Sequence, residues 1–230
     1  LPYSEEPWGE AKSYLPSVLG VSSPHNPKPA REVLDYAMLS FCKDVKHFNP
    51  TELRLCLHHA MDTFHSLMPE RTPVGLSVEE AINGGLEKLN SLPMDTGAGL
   101  MYSGTKDSPP RKGKKHLFSE YHPRVITDPG LARDLYEALE ALDKGEEPVL
   151  YWQAQLKPEM RPSSRVMGTE TGGMPKTRMI IASSTCATLL YRMYFGEFIS
   201  HVYRGFTRFE TAVGMNVLSG DWDQMVSRLK

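Results

Sequence analysis

The sequence predicts an α/β chain with a helix-rich amino-terminal part, and three observations carry that prediction. Apolar residues recur at helical spacing between Arg31 and Met68, Pro148 to Lys157 alternates apolar with polar residues, and Thr177 to Ser183 is a short apolar run of strand length. A period of 3.6 marks a helix with one buried face, and a period of 2 marks a half-buried strand.

The elements follow in chain order. Before Pro24 the chain is rich in Pro, Ser and aromatics, with Tyr3, Trp8 and Tyr14 among turn residues. It is too apolar for a plain linker, but it shows neither period. From Arg31 to Phe48, the residues Val33, Leu34, Ala37, Met38, Phe41, Cys42 and Val45 form one stripe, which predicts a helix with a buried face. Asn49-Pro50 closes that helix and opens the next, with Asn49 as cap, Pro50 as first helical residue and Glu52 near the positive end. The second helix is expected to turn Leu53, Leu57, Met61, Phe64 and Met68 inward and to end before Pro69. Ser77 and Glu80 have capping-box spacing for a short third helix that stops at Asn83-Gly84-Gly85. A fourth runs from Asp128-Pro129 to about Leu142, with Gly145 beyond its end.

In the strand over Pro148 to Lys157, Leu150, Trp152, Ala154 and Leu156 share one face and Tyr151, Gln153 and Gln155 the other. Ser183-Ser184-Thr185-Cys186 has the composition of a helix start rather than of a nucleophile motif. Asp221 and Asp223, flanking Trp222, are expected as a cap and a surface charge at the start of a last helix.

Composition narrows the class. With 230 residues, 40% of them hydrophobic, the chain can form a sizeable core, or one domain and part of another. No apolar run approaches the roughly 20 residues that span a bilayer, and no signal-peptide pattern opens the chain. Leu rather than Met stands first, which suits either release from a polyprotein or a trimmed chain. The 3 cysteines, Cys42, Cys56 and Cys186, have no paired spacing, so reduced thiols are expected. Cys56, His58, His59 and His65 do not make a metal site. Residues 58 and 59 point about 100° apart on a helix, and no Cys-x-x-Cys partner exists.

A net charge of -2 argues against a protein that is basic all over, yet the charge is uneven. Lys106, Arg111, Lys112, Lys114 and Lys115 stand close together with only Asp107 opposing, a patch able to bind a polyanion. A second basic group lies further on. Lys157, Glu159 and Arg161 are two apart and share a face of an extended segment, as do Lys176 and Arg178 on a return strand. Between them Gly168, Gly172, Gly173 and Pro175 can turn but are poor material for a helix. Two basic rows facing one another across such a hairpin suit a phosphate ligand.

The Lys-x-Glu-x-Arg and Lys-Thr-Arg pair resembles the nucleotide-entry motif, lettered F, of the RNA-dependent RNA polymerases of picornavirus-like positive-strand RNA viruses. Asp95-Thr96-Gly97-Ala98-Gly99, with Leu-Met-Tyr and the basic Gly104 to Lys115 after it, is similar to their template-contacting motif G. Leu189 to Gly196, and later Val213-Gly214-Met215-Asn216 with Asp221-Trp222, resemble the helix and loop that lead into their palm.

The resemblance implies the fingers subdomain of a right-hand polymerase with the start of the palm. Residues 1-68 would form the amino-terminal arm and helices of the fingers, 69-185 the fingers with both motifs, and 186-230 the way into the palm. It implies that Lys157, Arg161, Lys176 and Arg178 line the path of the nucleoside triphosphate, and that Glu159 fixes Arg161 or Arg178. The small side chains and free amides of Thr96, Gly97, Ala98 and Gly99 would let the RNA template lie close, and Lys106, Arg111, Lys112, Lys114 and Lys115 would follow its phosphates. Few aromatics stand there, only Tyr102 and Phe118, so backbone contact without sequence preference is expected.

No catalytic residue is assigned to this chain. The two aspartates four apart and the Gly-Asp-Asp turn that hold Mg2+ or Mn2+ in this family do not occur in it, so the metal ligands are expected elsewhere and the chain alone should extend no primer. The expected partners are RNA template and product, nucleoside triphosphates, the palm and thumb that complete the polymerase, and other viral replication proteins. The expected setting is the host cytoplasm, at membrane-associated replication complexes. A non-catalytic module that binds single-stranded RNA is the alternative.

Overall fold

A computed structural model describes residues 14–16, 30–39, 49–67, 74–103, 112–169, 173, 175, 177–205, 213, 215–216 and 218–228. The chain divides into two units, Leu1–Lys46 with Gln153–Ala182, and His47–Trp152 with Ser183–Lys230.

The first unit holds strand β1 (Tyr14–Pro16), helix α1 (Ala30–Leu39) and the segment that carries the basic group. Strand β2 (Trp152–Leu156) pairs with β4 (Met179–Ser183), and the Lys157 amide donates to the Arg178 carbonyl at 2.8 Å beyond the strand ends. The connection between them is not the plain turn expected. It contains β3 (Met160–Pro162) and a one-turn helix, α5 (Ser163–Val166), and β3 pairs antiparallel with β1, Tyr14 opposite Pro162 and Pro16 opposite Met160. The glycines lie after this helical turn rather than within it, and Val166 anchors it by being buried. Helix α1 buries Val33 and leaves Met38 about half exposed; Phe41, Cys42 and Val45 lie outside the described residues.

The second unit is assembled on α6 (Thr185–Arg204), which begins where predicted. Its cap is Ser184, whose Oγ accepts from the Ala187 amide at 3.2 Å. Cys186, Leu189, Leu190 and Met193 recur at helical spacing along one face of α6. They meet Ala81 and Ile82 of α3 (Val78–Asn83) and Leu131, Leu135 and Ala138 of α4 (Pro129–Asp143). Each buried leucine contributes about 2 kcal/mol of transfer free energy. The predicted caps are formed: Ser77 and Glu80 satisfy each other's amides in a capping box, and Asp128 accepts from the Leu131 amide at 2.8 Å. Helix α7 (Asp221–Arg228) opens at Asp221, whose carboxylate accepts from the Asn216 amide at 2.9 Å.

Helix α2 (Pro50–Leu67) starts as predicted, with Asn49 Oδ1 accepting from the Thr51 amide at 2.9 Å. Its apolar stripe does not face inward. Leu53, Leu57 and Met61 are about half exposed, and within the stripe only Phe64 is shown against another ring, with Phe198 at a centroid distance of 5.8 Å; Met68 lies outside the described residues. Helical spacing defines a face without supplying the surface that covers it.

Candidate functional site

Two groups of the predicted residues are described, one in each unit. In the first unit, Glu159 is the centre. Arg178 reaches it as a fork, Nε donating to Oε1 at 2.8 Å and Nη2 to Oε2. Lys157 Nζ stands 3.3 Å from Oε2, and Arg161 Nε stands 2.8 Å from Oε1, close enough for an ion pair but not aligned for a hydrogen bond. Paired N–H donors on the two carboxylate oxygens are the geometry a guanidinium is shaped for. The Arg178 hydrogen bonds, then those of Lys157 and the charge of Arg161, hold the Glu159 carboxyl down at about 2 against partial desolvation.

The exposures of the cations differ, and that difference sets what each can do. The Arg178 side chain is 58% exposed and fixed along one edge, which leaves its remaining N–H donors uncommitted to Glu159. Arg161 is only 19% exposed, so most of its charge is spent on the carboxylate. Three cations around one carboxylate leave an excess of positive charge on a fixed frame, which suits an incoming polyphosphate. Lys176 lies outside the described residues.

In the second unit, the turn Asp95 to Gly99 is held at both ends. The Ala98 carbonyl accepts from the Thr185 amide at 3.0 Å and the Thr185 hydroxyl at 2.7 Å, so the start of α6 carries the turn. The sequence marks Thr185 only as part of a helix start, and nothing local announces this second role. At the other end Thr96 Oγ1 donates to the Pro93 carbonyl at 3.0 Å. Thr96 and Gly97 face solvent, whereas Ala98 and Gly99 are buried.

The basic run after the turn divides. Lys112 and Lys115 are exposed, and Lys115 makes a 3.0 Å surface pair with Asp95, an interaction worth little in water. Lys114 departs from the expectation that it follows template phosphates. It is 5% exposed, and its ammonium donates inward to the Thr96 carbonyl at 3.1 Å and to Thr96 Oγ1. Lys106 and Arg111 lie outside the described residues. Tyr102 and Phe118 are both in the core, so neither is available for a base to stack on. Beside Lys115 a cleft of about 540 Å³ opens, lined also by His116 and Arg124 and by the acidic Glu120.

Asp221 and Asp223 share the first turn of α7, and Lys88 Nζ lies 3.9 Å from Asp221. Among the described residues no group of three or more His, Cys, Asp or Glu converges as a metal site. Nor is any described helix long and apolar enough to cross a membrane.

The chain belongs to the viral RNA-dependent RNA polymerase family, whose family model matches residues 36–230. It is 28% identical over 162 residues to the genome polyprotein of Rice tungro spherical virus (strain Vt6), an alignment that takes in 66% of this chain and 4% of the polyprotein. It is 25% identical over 223 residues to the RNA1 polyprotein of Cowpea mosaic virus (strain SB), covering 94% of this chain and 12% of that one. The solved Sicinivirus 3Dpol RNA dependent RNA polymerase shares the fold at a TM-score of 0.67 and 20% identity, over 96% of this chain and 41% of that structure. The chain therefore spans less than half the length of each of these relatives.

Proposed function

We propose that this chain is the fingers part, with the start of the palm, of a viral RNA-directed RNA polymerase, in which Arg178, Lys157 and Lys176 receive the triphosphate of the entering nucleotide and the enclosed Arg161 helps hold Glu159. The observation that carries the reading is the Glu159 fork, which fixes one edge of Arg178 and leaves the rest of an exposed, permanently charged guanidinium for phosphate oxygens. Glu159 is a positioning residue in this scheme. The exposed edge of the turn at Thr96 and Gly97, with Lys112 and Lys115, holds the template backbone, and the burial of Tyr102 and Phe118 favours contact without base stacking.

RNA template, product strand and nucleoside triphosphates are the partners this reading requires, together with the palm and thumb. The complete enzyme would use a divalent ion, Mg2+ or Mn2+, to neutralise charge on the reacting phosphates. The described residues do not fit that ion, so no step through it is assigned to them.

The test is Arg178→Ala in the complete polymerase. Nucleotide incorporation is expected to fall on the order of 100-fold, the scale of losing one preorganised charged donor, while the variant stays folded and loses only the modest stability of its pair with Glu159. Normal incorporation by a folded variant overturns the assignment of Arg178 to the triphosphate.

A further inference from the structure

We propose that Lys114 is a positioning residue for the template strand, acting from inside the protein through Thr96 rather than on RNA. The inference rests on the reading of the turn as a template contact.

A lysine in a basic run before a nucleic-acid site would ordinarily reach for phosphate. Here the backbone prevents it. Gly113 has φ 74, and a Cβ there would meet the Met94 carbonyl oxygen at 2.5 Å and Asp95 Cα at 3.3 Å, so only glycine lets the two segments lie this close. The Lys114 amide donates to the Met94 carbonyl at 2.7 Å, which fixes the register of the two segments. With that register set, the side chain runs beneath the turn and its ammonium reaches both oxygens of Thr96.

Thr96 is thereby held by three hydrogen bonds to two partners. Its hydroxyl donates to the Pro93 carbonyl and accepts from Lys114, and its carbonyl accepts from the same ammonium. The next residue, Gly97, has open space on its outer side, with no atom within 4 Å of where a Cβ would stand. The amide edge offered to a template strand is therefore the part of the turn that Lys114 aims. No carboxylate pairs with Lys114 among the described residues, and burial lowers its basicity. A buried cation without a counter-charge is costly, so its position calls for an account beyond bulk charge.

A positioning lysine and a phosphate-binding lysine differ in their response to salt. Removing one lysine that meets a phosphate of a single strand lowers the slope of log Kd against log salt by about 0.7, whereas removing an internal strut weakens binding without changing the slope. Fluorescence anisotropy of the complete polymerase with a single-stranded RNA, repeated from low to moderate salt, reads both quantities. Lys114→Met is expected to raise Kd about tenfold at fixed salt, the scale of one internal hydrogen bond, with the slope unchanged. Thr96→Val, which keeps the lysine but removes its hydroxyl partner, should raise Kd in the same direction. The double variant should bind little worse than the weaker single one, because both changes cut one linkage.

Lys112→Met and Lys115→Met, in contrast, should each flatten the salt slope. A flatter slope for Lys114→Met would mean that its ammonium meets phosphate, and an unchanged Kd would remove its role; either overturns the inference while the template reading stands. If Lys112→Met and Lys115→Met leave both slope and affinity untouched, the template reading itself falls, and this inference with it. Should Lys114→Met not fold, Thr96→Val carries the same comparison.

Discussion

Replacing Gly99 by alanine places a methyl group where the turn meets the start of α6. Gly99 has φ 94 and ψ 166, a backbone region that side chains other than hydrogen rarely enter. An added Cβ would stand 2.7 Å from Ser184 Cα and 3.3 Å from Ser184 Cβ. Ser184 is the buried cap of α6, so the atoms that would have to move are those that fix the helix start. Backbone strain and overpacking together should cost about 4 kcal/mol. In a cooperative unit of this size that is a fall in melting temperature on the order of 10 °C. The damage should be local first: the Thr185 amide, which donates to the Ala98 carbonyl, should lose protection in hydrogen exchange before the middle of α6 does. Gly97→Ala is the control, since open space surrounds that position, and its effect on stability should lie within about 0.5 kcal/mol. Differential scanning fluorimetry and exchange of the complete polymerase make the comparison. If Gly99→Ala melts with the parent and keeps Thr185 protected, the close approach of turn and helix is wrong, and with it the account of how the turn is held.

Two further outcomes follow from the charges and thiols. Because Glu159 titrates at about 2 in the folded chain rather than at the ordinary 4.5, its ion cluster stabilises the fold fully above about pH 4.5 and loses that contribution as the pH falls toward 2. The difference in melting temperature between parent and Glu159→Gln should therefore be level from pH 5 to 8 and narrow below pH 5; a difference that stays level down to pH 3 would contradict the Arg178 fork. Burial, and then the charge of Asp134, push the Cys186 thiol up to about 11, while Cys56 is exposed on α2. In a Cys42→Ser background at pH 8, a thiol reagent should modify Cys56 quickly and Cys186 only on unfolding, and two equal rates would refute the burial of Cys186.

What could be read from the sequence was local. Asn49, Ser77 with Glu80, Asp128 and Ser184 all cap helices where their side chains predict it, because a cap needs only a short polar side chain and the amides two or three residues on. The pairing of β1 with β3 was not legible, since Tyr14-Leu15-Pro16 has no period and its partner lies almost 150 residues away. Nor was α5, which interrupts a connection whose glycines suggest a turn. The apolar stripe of α2 was legible as a stripe, yet its exposure depends on what lies opposite, which periodicity does not encode. In the basic run, one signal was present: Gly113 between Lys112 and Lys114 marks a bend, and a bend sends successive lysines to different sides.

That bend bears on how charge in such a protein should be counted. In both basic groups the described cations divide into those that face solvent and those committed to the protein. Arg178 and Lys157 are substantially exposed, while Arg161 is mostly enclosed against Glu159. Lys112 and Lys115 face out, while Lys114 is enclosed beneath Thr96. The enclosed members cannot release counterions from a bound strand, because they have no solvent-facing charge to exchange. They act instead on geometry: Lys114 fixes the exposed edge of the turn, and Arg161 helps hold the carboxylate that anchors Arg178. If the two groups hold phosphate as proposed, they would do so through two classes of cation, one that meets the ligand and one that keeps the first in place, and only the first class should register in the salt dependence of binding.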